Sequence, residues 1–340
     1  MASIPTAVAV DRDGNIFVTD SGTNSISVLS KDMQLQRTIN NTLADGTPSP
    51  SRTQLKNPRG LALDAEGNIF VANWNGHNVL KFPAGGGQAI PLAVTVDRFQ
   101  PQILNTPSGI AVDAKGFIFV AEYSRHRVQV FDQNGNHVRF FGIGGLKFPC
   151  GVALDRQGNV YVADWGRVAV FDMHGNYKAG TARGAVRRPR AVALDDTGNV
   201  YVADQAAKVV AVFSPTLEPI AKLSSQDGVV TPIGVAVDSS GDVIVLDDVE
   251  ESVHVFSHHA VRPEAALVDM LMQSIDRLHH QPDMALLIAR ECARPARFRL
   301  QPPAQPPLGN QAAANPPPGD QAPANPYLTG RTRFLWSEEG

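Results

Sequence analysis

Cysteine is almost absent: Cys150 and Cys292 are the only two in 340 residues. They lie in different regions, so they supply neither a disulfide framework nor a paired thiolate metal site. An excess of one charge is missing too. Thirty Lys and Arg stand against 33 Asp and Glu, so no overall field draws the chain to DNA or to a membrane surface. No apolar run reaches membrane-spanning length, and the opening Met1-Ala2-Ser3-Ile4-Pro5-Thr6 lacks the charged and apolar stretches of a secretory leader. A cytoplasmic protein without a membrane partner is expected. The glycine-rich stretches Gly85-Gly86-Gly87 and Gly142-Ile143-Gly144-Gly145 read as linkers rather than strand-to-helix phosphate loops, and no cofactor is expected. Aromatics are scarce, at 7% of residues.

What is present is repetition. One pattern recurs six times: proline, a variable residue, a small residue, an apolar run closed by Asp, a Gly turn, a second apolar run closed by an acid or Asn, and Val-x-Val-Phe. The clearest copy runs Pro149-Cys150-Gly151-Val152-Ala153-Leu154-Asp155, then Gly158-Asn159-Val160-Tyr161-Val162-Ala163-Asp164, then Val168-Ala169-Val170-Phe171. The Asp closing the first run recurs at Asp11, Asp64, Asp113, Asp155, Asp195 and Asp238. Spacings near forty residues, filled only with short β-branched and aromatic runs, predict β-propeller blades rather than a helical solenoid. The Asp-x-x-Gly segments predict tight hairpins, with the Asp accepting from backbone N–H groups and the Gly taking positive φ. The alanines Ala9, Ala62, Ala111, Ala153, Ala193 and Ala236 are expected where six inner strands crowd around the axis. The fold class expected is all-β: a six-bladed β-propeller over residues 1–260, a C-terminal α-helical hairpin over 261–298, and a disordered Pro-rich tail over 299–340.

The repeat resembles the NHL family, whose consensus also runs Pro-x-Gly-Ile-Ala-Val-Asp, Gly-Asn-Ile-Tyr-Val-Ala-Asp and Asn-His-Arg-Val-Gln-Val-Phe. Gly109-Ile110-Ala111-Val112-Asp113 and Arg125-His126-Arg127-Val128-Gln129-Val130-Phe131 carry it most closely. Only the second and third copies keep the histidine, as His77 and His126. The resemblance implies a scaffold that binds RNA or protein, as in tripartite-motif proteins. No RING, B-box or coiled coil accompanies it, so a ubiquitin-ligase role does not transfer.

Strand direction sorts the side chains. The Pro-x-Gly starts, the ends of the second strands, the second-to-third hairpins and the interblade linkers share one face; the Asp-x-x-Gly turns occupy the other. On the shared face the residue after each second strand is Ser21, Trp74, Tyr123, Trp165, Gln205 and Asp248. Around the three aromatics fall Arg59, Arg125, Arg127, Arg167, Arg187, Arg188 and Arg190, with Arg183 beyond, while Asp20, Asp247, Asp248, Glu250 and Glu251 stand on the first and sixth blades. Trp, Tyr and Arg dominate protein hot spots, and a protein partner is the first expectation. Bases stacking on rings with guanidinium groups on phosphates is the alternative, an RNA-binding regulator using the same face.

A further alternative is a metal-dependent lactonase-like hydrolase or lyase on the propeller axis. The variable residue at the channel mouth reads Thr6, Arg59, Ser108, Cys150, Arg190 and Ile233, a poor cation site. The strand-end ring Asp20, Asn73, Glu122, Asp164, Asp204 and Asp247 supplies oxygens, but these are expected to bond the following hairpins or meet Arg59 and Arg190. His77 and His126 have structural uses, and the remaining histidines form no triad. Cys150 beside Arg190 is a candidate thiolate, with a small apolar role as its rival. A non-enzymatic protein without metal is therefore expected.

After Ser257 the pattern changes. Pro263 to His280 and Asp283 to about Cys292 read as two amphipathic helices, able to pack on the propeller or to self-associate through 264–293. Residues 301–327 form a Pro/Ala/Gln/Asn tract that cannot bury a core. Little strand-forming sequence remains between Phe256 and Pro263 to supply the sixth blade's outer strand. Arg331-Thr332-Arg333-Phe334-Leu335-Trp336 could dock there, or act as a recognition peptide.

Overall fold

In the computed structural model, residues 3–43, 45–93, 104–249 and 251–257 are described, together with the backbone of 330–334. They form twenty-four strands in six antiparallel four-stranded sheets, each ordered along the chain from inner to outer strand. The inner strands are Pro5–Val10, Pro58–Leu63, Pro107–Val112, Val152–Leu154, Pro189–Leu194 and Pro232–Val237. The expected six-bladed propeller is present. The helical hairpin expected over 261–298 and most of the Pro-rich tail lie outside the described residues.

Each second strand, such as Val160–Asp164, is buried along its whole length, because neighbouring blades cover both of its faces. That explains its unbroken apolar run, where a half-exposed strand would alternate. The core is not one volume but six interblade layers. Phe119, Val128, Val130 and Phe141 of blade 3 meet Val152, Val160, Val162 and Phe171 of blade 4, and equivalent clusters separate every other pair, including blades 6 and 1.

The inner strands give the alanines a direction. The repeated alanines face the next blade rather than the axis: Ala62 packs with the layer between blades 2 and 3, and Ala111 with that between blades 3 and 4. The closest approach falls two residues earlier. A Cβ on Gly60 would lie 2.2 Å from the Ser108 carbonyl oxygen, and one on Gly109 would lie 2.2 Å from that of Cys150. These glycines let adjacent inner strands touch backbone to backbone.

At the opposite face the Asp-x-x-Gly turns form as expected. Asp155 Oδ1 accepts from the N–H groups of Gln157 (2.9 Å) and Asn159 (2.7 Å), and Gly158 sits at φ 83°.

Blade 6 takes its outer strand from far along the chain. Gly330–Phe334 pairs antiparallel with Ser252–Phe256, with Phe256 opposite Gly330 and Ser252 opposite Phe334. This segment of the expected tail therefore belongs to the propeller, covering an edge of unpaired backbone groups that Ser252–Phe256 would otherwise present.

Candidate binding face and axial cavity

In five of the six blades the variable residue of the proline-led start is a bulge. The pairing between first and second strands slips between Pro5 and Ala7, Pro58 and Gly60, Pro189 and Ala191, and Pro232 and Gly234, with a matching slip opposite Pro107–Ile110. A bulge frees one side chain from the alternation and re-aims it. Here it sends Thr6, Arg59, Ser108, Arg190 and Ile233, and the same position of blade 4 sends Cys150, to one axial cavity of about 310 Å³. Its lining also includes Trp74, Tyr123 and Arg188, and contains no Asp or Glu.

Two members of that ring tie blades together. Thr6 Oγ1 donates to the Pro58 carbonyl (2.7 Å), and Ser108 Oγ donates to that of Pro149 (2.9 Å). Arg59 stands over the Trp74 ring, 5.1 Å from its centre, and its Nε donates to Asn57 Oδ1 (3.0 Å). Burial, and then the neighbouring Arg190, lower the pKa of its guanidinium. Burial raises the pKa of the Cys150 thiol, and this outweighs the opposing pull of Arg190, Arg188 and Arg59. The expected alternative of an activated thiolate is thus not supported, since desolvation disfavours the charged form.

The three aromatics are joined by a fourth. Trp74 and Tyr123 have ring centres 5.5 Å apart, Tyr123 and Phe148 5.0 Å, and Phe148 and Trp165 5.8 Å. Phe148 precedes Pro149 and has φ 51°, in the left-handed region where a bulky residue is strained. Its N–H donates to His126 Nδ1 (2.9 Å), and the two rings meet edge to face. Asn24 accepts from Asn57 N–H (2.6 Å) and His77 from Thr106 N–H (3.4 Å) in the same way. The NHL histidine slot is therefore an interblade clasp. Sequence reading missed Phe148; its signal is the position before Pro, opposite a clasp histidine.

The arginines divide. Arg59, Arg188 and Arg190 reach the cavity, and Arg187 is exposed beside them. Arg127 does not belong to the surface: it is 4% exposed, ion-paired to Glu122, and its guanidinium lies 4.6 Å from the Phe140 ring centre. Arg167 is held by Asp164 (3.1 Å) and by the Gly145 carbonyl (2.7 Å). Arg125 is half-buried next to the clasp. Trp165 is 51% exposed, with Tyr123 and Trp74 half-buried.

The strand-end ring is also reassigned. Asp20 accepts from the N–H groups of Ile4 (3.0 Å) and Gly22 (2.7 Å), Asp204 from those of Arg187 (2.6 Å) and Arg188 (2.9 Å), and Asp247 from those of Val230 and Thr231 (both 2.7 Å). Glu122 and Asp164 hold Asn105 and Lys147 likewise. These side chains cap the loop entering their own blade, and several cap the following hairpin, the first of the two roles expected for them. Asp20 and Asp247 are buried, so the acidic sector on blades 1 and 6 shrinks to Asp248 and Glu251. Glu250 lies outside the described residues. Among the described residues, no three His, Cys, Asp or Glu side chains are grouped to hold a metal. The lining of the axial cavity, with three arginines and no Asp, Glu or His, does not fit a metal.

The NHL repeat model matches residues 104–131, and the SMP-30/gluconolactonase/LRE-like region model matches residues 1–98. No curated protein matches the chain. Among solved structures, a streptogramin B lyase is 14% identical with a TM-score of 0.56, over 75% of this chain and 80% of that one. A catalytically inactive virginiamycin B lyase of Staphylococcus aureus, solved with quinupristin, is 11% identical at 0.57, over 77% and 84%. A chain of a nidogen/laminin complex is 19% identical at 0.57, over 69% and 86%. These likenesses are of fold. The chain is a six-bladed β-propeller with an NHL repeat in its third blade and an SMP-30/gluconolactonase-like region across its first two.

Proposed function

We propose that this propeller is a non-enzymatic recognition module that binds a protein partner through the face carrying Trp74, Tyr123, Phe148 and Trp165. The observation that carries the reading is the continuity of that ridge. Its rings lean on one another at 41–61° between planes, leaving no parallel slots in which successive bases could insert. An apolar ridge with Arg59 over Trp74 and Arg188 lining the adjoining cavity has the composition of a protein hot spot.

The test is photo-crosslinking from the exposed position 147, beside Phe148 and bonded through its carbonyl to Trp165 N–H, in the protein's own cells, read separately for protein and RNA, with a Phe148→Ala/Trp165→Ala variant of unchanged melting temperature carrying the same crosslinker. A protein crosslink reduced at least thirtyfold in affinity by the variant is expected, about 2 kcal/mol. A defined RNA in its place, with affinity falling steeply in salt, replaces this reading by the RNA-binding one.

A second reading is enzymatic. It is favoured by the match over residues 1–98 and by the lyase folds. Turnover of a lactone or a streptogramin by the purified chain would establish it.

A further inference from the structure

We infer that the axial cavity is a receptor for one compact oxyanion, a carboxylate or phosphate group, held by Arg59, Arg188 and Arg190. This goes beyond the ridge and does not depend on it.

Three arginines line the cavity without an acid among its lining residues, and all three act electrostatically on Cys150 in its wall. The ion pairs Arg127–Glu122, Arg156–Asp196 and Arg167–Asp164 involve none of the three. Burial first, and then repulsion by Arg190, hold the Arg59 guanidinium below its ordinary pKa, against smaller opposing effects that include Asp248. An anion between the two arginines would relieve that repulsion, and planar guanidinium forks suit carboxylate and phosphate oxygens. Deeper donors exist as well. The inner strands pair on one side only, so their other edges carry backbone N–H groups toward the axis. The hydroxyls of Thr6 and Ser108 are already engaged with carbonyl groups, which leaves selectivity to the arginines. A volume near 310 Å³ is at the small end of ligand pockets. It suits one small acid or one acidic side chain and excludes an oligonucleotide.

Isothermal titration of the full chain with succinate, with inorganic phosphate and with a fluorescein-labelled tetraglutamate peptide separates the sources. At least one probe is expected to bind with one-to-one stoichiometry and at least tenfold more weakly to Arg59→Met/Arg190→Met. Binding of succinate or phosphate assigns a free small anion; binding of the peptide alone assigns an acidic side chain. Should the double variant fail to fold, Arg188→Met, altered at an exposed position, is expected to weaken the same probe at least threefold. Absence of binding by all three probes, or equal binding by the variants, overturns the inference. The Phe148→Ala/Trp165→Ala variant should keep its probe affinity, so the cavity and the ridge can fail separately.

Discussion

Replacing Arg127 by Met tests whether this arginine is structural or available to a ligand, and the structure sets the size of the effect. Arg127 opens the third strand of blade 3 directly opposite Glu122, and both side chains are buried, at 5% and 0% exposure. Methionine keeps much of the stem packing but leaves the Glu122 carboxylate to the neutral donors Asn105 N–H (2.7 Å) and Gln129 Nε2 (2.8 Å). Removing one partner of a buried pair costs about 3–5 kcal/mol, because the other charge stays buried without its counterion. For a domain of this size that lowers the melting temperature by about 6–20 °C. Urea unfolding of Arg127→Met, Glu122→Gln and the double variant closes a thermodynamic cycle. The double variant is expected to recover much of the loss, since a neutral amide carries no uncompensated charge. If Arg127→Met lies within about 1 kcal/mol of wild type, the pair is solvated and the burial argument is refuted.

Gly109→Ala, whose Cβ would sit 2.2 Å from the Cys150 carbonyl oxygen, should destabilise by at least about 1–3 kcal/mol in urea, while Gly85→Ala, with open space around it, should be neutral. Burial first, and then Arg127, lower the pKa of His137 below 6.5, against an opposing effect of Glu122. The unfolded chain therefore takes up the proton first, so stability falls as pH drops below about 6.5, and His137→Gln should flatten that slope in melts at different pH. Deleting residues 329–340 should expose the edge of Ser252–Phe256, lower the melting temperature and raise hydrogen exchange in that strand; unchanged exchange would remove the strand pairing.

The fold was legible because a propeller repeats its local instructions. Each Asp-x-x-Gly turn is closed within five residues, and each second strand has both faces covered, so its apolar run needs no distant partner to be recognised. The strand completing blade 6 was legible only as one of two roles for 331–336. Nothing local to Gly330–Phe334 states that it pairs with Ser252–Phe256, because strand pairing at that separation depends on which edge is left open. The alanines were placed in the right strand, but without a direction. Alternation alone fixes which residues share a face but not which neighbour that face meets, and Ala111 meets blade 4 rather than the axis.

The site separates along the same line. The mouth ring was found from sequence because the position between Pro and Gly or Ala recurs in every blade and brings six variable side chains to one place, and Arg59 and Arg190 are there. Arg127 and Arg167 share the face by strand direction, yet each lies beside a strand-end acid of its own blade, so local pairing withdraws them from solution. Register against a buried acid is therefore the sharper criterion. An arginine directly opposite the strand-end acid at the start of the third strand, as Arg127 and Arg167 are, is held by the blade, whereas one between Pro and Gly or Ala is delivered to the axis. Phe148 adds the converse case. Its place in the ridge comes from the next blade meeting the His126 clasp, a contact that exists only once two repeats are side by side. The ridge is thus a property of adjacent blades, and a His126→Ala change should loosen Phe148 and weaken partner capture, read by the same crosslink from position 147, without touching the partner itself.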